Sequence, residues 1–309
     1  MLSGFVTDVG RKLAERWAAT LVLPGLLFTT VAAVALTLRQ NSWSDVELLR
    51  LRVTALTGSG SGAGPGAGSG STRTAVLLLG VLAASFAAAL VADALGGPYE
   101  QALLGSWPRP LSRPAAALTG RRRRIWQERD DACRRAAAQD TDEAAERAAR
   151  LGALEALRNQ VALTRPECPT WIGDRLRAPA VRIRLEYRLE LADAWPRLWL
   201  VLPDSTRQPL AEARQRLDEA MRLGGWAVLY LLLGAVWWPS AAAGAGAALA
   251  AWRRGRDRAE EYAELVESTV DVHLQELFER FDEETRPVRA SLGPAVTERF
   301  RKGAGPRHP

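Results

Sequence analysis

The chain has 309 residues, a formal net charge of +6, two cysteines and two histidines. That length would hold two ordinary domains, but the apolar residues are gathered into a few long runs, which sets aside an evenly packed soluble globule. Cys133 and Cys168 lie far apart without a CxxC spacing, and His273 and His308 stand alone, so neither a disulfide framework nor a zinc site is indicated.

The cations are almost all arginine, Lys12 and Lys302 being the only lysines, and Ala, Gly and Pro are heavily used. This bias points to a GC-rich bacterial genome of actinobacterial type. Beside long apolar runs, such arginine reports orientation and anionic lipid rather than nucleic acid, and no nucleic-acid partner is expected.

In chain order, residues 1–17 read as an amphipathic helix on the cytoplasmic side, with Leu2, Phe5, Val6, Val9, Leu13 and Trp17 at helical spacing between Asp8, Arg11, Lys12 and Glu15. Residues 18–38 form a first predicted span, Ala18 to Leu38, free of charge and bracketed by Arg16 and Arg39. A cleaved signal peptide is the rival, since Ala33-Val34-Ala35 resembles a cleavage site, but the two acids before the run argue against it. Residues 39–73 form an external loop. Its Ser44 to Leu56 segment has helical potential, and Gly58 to Ser71 is a Gly/Ser-rich linker whose loose GxGxxA match (Gly58, Gly60, Ala63) has no βαβ context.

Residues 74–92 form the second span, with Asp93 and the Gly96-Gly97-Pro98 breaker expected to end the helix. Gly80, Ala84, Ala88 and Ala92 make a small-residue stripe, either chance in an alanine-rich span, a packing face for the first span, or a dimer motif.

Residues 93–222 read as a mainly helical cytoplasmic domain. It opens with Trp107-Pro108-Arg109-Pro110 and the run Arg121, Arg122, Arg123, Arg124, expected to meet anionic lipid phosphates or an acidic partner. Trp126 to Leu163 should be helical with a break near Gln139 to Asp142. Further on, Trp195 and Trp199 would share a helix face if Pro196 starts or kinks a helix, packing the domain on the bilayer surface or lining a ligand pocket. From Pro209 a charged helix runs toward the next apolar region.

The run Leu223 to Trp252 is too long for one comfortable span and short for two. Pro239-Ser240 at its middle, Trp237 and Trp238 beside that break, and arginines at both ends favour a hairpin, 223–238 and 241–252, over a single span. Arginine asymmetry then puts the N-terminus, the central domain and residues 253–309 in the cytoplasm. In this last segment Tyr262 to Phe281 reads as an amphipathic helix whose apolar face either drives self-association or protein docking or packs on the central domain, with His273 an interface or packing residue and a fraying tail beyond Pro287.

Thr170, Gly173, Leu176 and Arg177, then Tyr187 and Leu189, then Ala194-Trp195-Pro196-Arg197-Leu198-Trp199 and Leu202-Pro203, precede a charged helix and an apolar hairpin. This order, over roughly 170–277, resembles a group of uncharacterised bacterial multi-span membrane proteins. The resemblance implies architecture only and brings no site; the segment Arg182 to Glu186 has no counterpart in it. The expected fold is mainly α and integral to the membrane, with four transmembrane helices and a helical cytoplasmic domain.

No phosphate loop, HExxH, GxSxG or metal-ligand spacing occurs. Catalytic, cofactor-binding and metal-binding residues are therefore expected to be none, and the chain reads as a non-catalytic protein that anchors or assembles partners at the cytoplasmic membrane of a bacterium. An oligomeric channel or pore-forming effector is the alternative, with no charged side chain inside the predicted spans.

Overall fold

The computed structural model describes residues 22–38, 69–105, 107–138 and 144–280, together with Gln40, Asp45, Glu47, Arg50, Leu51 and Thr54. Among these the secondary structure is helical, without strands. The helices are α1 (Leu23–Leu38), α2 (Ser69–Leu104), α3 (Ser112–Ala138), α4 (Ala144–Asn159), α5 (Trp171–Tyr187), α6 (Leu191–Val201), α7 (Asp204–Leu233) and α8 (Trp238–Glu279), with a 3-10 turn at Arg109–Leu111. The expected N-terminal amphipathic helix, most of the Gly/Ser-rich linker, the break near Gln139 to Asp142, Phe281 and the tail lie outside the described residues.

The chain divides into two compact units, one of residues 1–99 and 221–252, the other of residues 100–220 and 253–309. The first gathers all the apolar runs. Its helices touch through small residues: a Cβ on Gly25 would lie 2.2 Å from the Ser85 carbonyl oxygen, and one on Gly225 would lie 2.1 Å from that of Ala92. Only glycine lets the backbones approach this far, which maximises dispersion contacts where no water is expelled. The Thr29 and Ser85 hydroxyls lie 2.9 Å apart and share one hydrogen bond, in which one of them donates and leaves the other free to donate to a carbonyl of its own helix. Phe28 packs edge-on against Tyr230 (5.2 Å between centroids) and tilted against Trp226 (6.0 Å).

Leu223 to Trp252 folds as two helical arms, the apolar end of α7 and the start of α8, joined by a turn at residues 234–237. The turn comes earlier than expected from Pro239-Ser240, because Pro239 sits in the first helical turn of α8, where its missing N–H costs nothing. The Ser240 hydroxyl donates to the Tyr230 carbonyl (2.9 Å), and Gly244 lets α8 lie against Leu231 and Ala227. Gln40 closes the turn, donating to the Gly234 and Ala235 carbonyls (3.1 and 3.2 Å) and accepting from the Trp238 N–H (3.2 Å).

A second correction concerns the end of α2. The helix does not stop at Asp93 but continues through Gly96, Gly97 and Pro98 to Leu104. Proline removes one hydrogen bond, and packing outweighs that loss: Gly96 faces the Arg222 backbone, Tyr99 covers Gly224, and Asp93 pairs with Arg222 (3.0 Å).

The second unit has a core of Ile183, Leu189, Ala194, Leu198, Leu202, Leu210, Val266, Val270, Leu274, Leu277 and Phe278. Each leucine buried there contributes about 1.5–3 kcal/mol. Arg182 to Glu186, left without a counterpart by the resemblance, is helical and part of α5. That helix starts on a Thr170 cap, whose hydroxyl accepts from the Gly173 N–H (3.0 Å), and ends at Arg188 in the left-handed conformation (φ 52°).

Candidate functional site

The arginine run is divided by its position on α3. Arg122 points inward, its Nη2 donating to the Val161 carbonyl (2.7 Å) and to Asp174 (2.8 Å), and Arg123 Nε donates to the Pro166 carbonyl (2.7 Å). Arg121 and Arg124 are exposed. Of the four arginines expected to meet lipid or a partner, Arg122 and Arg123 are thus engaged within the chain, strapping residues 160–170 to the helix. Asp174 completes the junction by accepting from the Glu167 and Cys168 N–H groups, both at 2.8 Å. Burial pulls the Arg122 guanidinium below its usual pKa while Asp174 opposes that shift. Burial likewise pushes the Cys168 thiol up, away from a reactive thiolate.

Two open grooves border the core of this unit. One, of about 440 Å³, is lined by Leu163, Ala178 and Leu185 with Arg182 and Glu267 at its edge. Arg182 is held by Asp271 (2.9 Å), Glu267 (3.4 Å) and Glu186 (3.4 Å), and the buried Arg175 pairs with Glu267 at 2.9 Å. The Tyr187 hydroxyl donates to Asp271 (3.2 Å), and burial together with that carboxylate pushes the phenol up to about 12.

The second groove, about 380 Å³, is lined by Trp195, Trp199 and Tyr262 with Arg214 and Asp218. The tryptophans do share a face of α6, their rings 6.1 Å apart. Arg214 is held between Glu100 (2.7 Å) and Asp218 (2.9 Å), so the charges around both grooves satisfy one another. Of these pairs, Arg175–Glu267 joins α5 to α8 and Arg214–Glu100 joins α7 to α2.

His273 packs between α8 and α7, its Nε2 3.3 Å from the Thr206 hydroxyl and its Nδ1 3.3 Å from Glu276. Cys133 and Cys168 are buried and unpaired, and no group of side chains able to hold a metal occurs among the described residues.

The apolar face of the Tyr262 to Phe281 helix is covered. Val266, Val270, Leu274, Leu277 and Phe278 are buried against α5, α6 and α7, so of the two alternatives for this face the fold has the packing on the central domain. Val272, on the opposite side, is a large apolar residue left exposed among the described residues of that stretch.

The open apolar surface belongs instead to α2. From Ala75 onward it is the one described helix long and apolar enough to cross a membrane, by length and composition, and 17% of its apolar window is buried. Val76, Leu77, Leu78, Leu79, Val81, Leu82, Phe86, Leu90 and Val91 are all exposed. The expected stripe of Gly80, Ala84, Ala88 and Ala92 is packed only at its later end: Ala92 is buried and Ala88 half-buried on the cluster that holds Ala89, whereas Gly80 and Ala84 are exposed and nothing lies within 4 Å of a Cβ on Gly80. Ser85, Ala89 and Gly96 of this helix are also buried. The second apolar helix, α1, has 16 described residues and exposes Leu23, Leu27 and Leu36.

No family model matches the chain, and neither a curated protein nor a solved structure matches it. The functional reading accordingly rests on these surfaces alone.

Proposed function

We propose that the chain is an integral protein of the bacterial cytoplasmic membrane, whose apolar unit sits in the bilayer and whose helical unit anchors or assembles other proteins at the cytoplasmic face without catalysis. The observation that carries this reading is the surface of α2, where leucine, valine and phenylalanine face outward on nearly every side of a helix long enough to cross. Water would penalise that surface by about 25 cal/mol for each Å² left exposed, and hydrocarbon removes the penalty. The close glycine contacts within the same unit suit a lipid environment, where helices associate by packing rather than by water expulsion.

Two features support four membrane passages. The Asp93–Arg222 pair closes one end of the apolar unit, and Gln40 closes the hairpin turn at the end of α1, so the hairpin runs from end to end of that unit. The engaged acids and arginines of the helical unit support a scaffold rather than a reaction centre.

The test is carbonate extraction of membranes from cells expressing the full chain, followed by single-channel recording of purified protein in planar bilayers. Retention in the membrane pellet with electrical silence at high protein density is expected. Release into the soluble fraction sinks the membrane reading, and reproducible unitary conductance replaces the scaffold with a pore.

A further inference from the structure

We propose that the 3-10 turn at Arg109–Leu111 and the N-terminal half of α3 form a docking face for the headgroups of anionic phospholipids. Between Glu100 and Glu128 the chain has six arginines, Arg109, Arg113, Arg121, Arg122, Arg123 and Arg124, and no acid. Arg122 and Arg123 turn inward, as described above. Arg109, Arg113, Arg121 and Arg124 are exposed, and none of them has an ion pair among the described residues. This contrasts with Arg134, Arg158, Arg175, Arg182, Arg214 and Arg216, each held by a carboxylate.

The packing of α3 explains the segregation. Ala115 and Thr119 are buried, so Arg113, Arg121 and Arg124, spaced eight and three residues apart, fall on the opposite side. Two leucines stand beside them, Leu111 at 47% and Leu118 at 44% exposure. Arginine interleaved with exposed leucine suits a bilayer surface: guanidinium forks bind phosphate oxygens in the headgroup layer while leucine enters the acyl boundary. Nucleic acid would use the arginines and leave the leucines in water. The turn also begins within a few residues of Leu104, where α2 ends, so a membrane-inserted α2 tethers the face near headgroups. The inference rests on the membrane reading above and goes beyond it by naming the lipid class and the residues.

The experiment uses the full chain with a bimane label on Leu118→Cys, reconstituted into nanodiscs of phosphatidylglycerol or of phosphatidylcholine with brominated acyl chains. A second labelled chain, Phe86→Cys, reports insertion. The expected result is quenching of the Phe86→Cys label in both discs, and of the Leu118→Cys label in phosphatidylglycerol but only weakly in phosphatidylcholine. That difference should be lost at high salt, and when Arg109, Arg113, Arg121 and Arg124 are all replaced by glutamine.

If the Phe86→Cys label is quenched and the Leu118→Cys label is not, the docking face is wrong and the membrane reading stands. Equal quenching in both lipids, unchanged in the glutamine variant, also overturns it. If short duplex DNA shifts the emission and anionic lipid does not, the face binds nucleic acid. If neither label is quenched, both readings fall.

Discussion

At the scale of single residues, the arginine run shows how one sequence pattern can carry two unlike tasks. Sequence reading treated Arg121 to Arg124 alike, because a run of four cations states nothing about which of them meet carbonyls from residues 161 and 166, far along the chain. The helical period was the available signal, since residues 122 and 123 project to the side of α3 that also carries Ala115 and Thr119. Asp174 is the residue on which the junction depends, with its side chain 6% exposed against 18% for Arg122. Replacing Asp174 by alanine leaves a guanidinium without its counter-charge and two N–H groups without an acceptor, a change expected to cost about 3–5 kcal/mol. Arg122→Met removes the same ion pair from the other side, so the two losses overlap. The double variant should be about 1 kcal/mol or more better than the sum of the single costs in thermal unfolding of the detergent-solubilised chain. Additive costs would show that the two residues act separately and that the junction is not one unit.

Among the elements, helix identity was readable and helix environment was not. The apolar runs, the continuous charged helix entering the hairpin and the amphipathic face of α8 follow from periodicity, and each appears in the fold with shifted bounds. Whether that α8 face was covered could not be read from its own sequence, because its cover comes from Ile183, Leu198 and Leu210, which have no spacing relation to it. The small-residue stripe was legible only in part for a related reason: alanine recurs along the run so that several faces qualify, and Gly25 and Gly225 select by backbone approach the one that holds Ser85 and Ala92, leaving Gly80 and Ala84 outside it.

This selection makes a paired prediction. Gly225→Ala places a methyl 2.1 Å from a backbone oxygen and should lower stability by about 1–3 kcal/mol, whereas Gly246→Ala, with nothing within 4 Å, should leave it unchanged or raise it slightly. Apparent melting temperatures in detergent distinguish the two. Equal shifts in both would mean that intrinsic helix propensity, not close approach, decides the response.

For the whole molecule, chain topology constrains the membrane arrangement more tightly than arginine counting does. The helical unit contains residues 100–220, which precede the hairpin, and residues 253–280, which follow it. Leu198, Leu202 and Leu210 from the first segment share one core with Val270 and Leu277 from the second. A core cannot be built from segments on opposite sides of a bilayer, so if the apolar unit is inserted, the chain must enter and leave residues 221–252 on the same side. A single span over that run is then forbidden by packing, independently of the positive-inside rule that favours the same result. The turn at residues 234–237 should face the opposite side together with Gln40, which holds its carbonyls. Membrane-impermeant maleimide applied to intact spheroplasts should therefore label Ala235→Cys, while Arg254→Cys should react only after permeabilisation; both positions are exposed. Labelling of Arg254→Cys in intact spheroplasts, with Ala235→Cys silent, would invert the orientation and leave the hairpin standing. Labelling of Arg254→Cys from outside, with a residue of α3 such as Arg121→Cys still protected, would place the two halves of one core on opposite sides and overturn the packing of the helical unit itself.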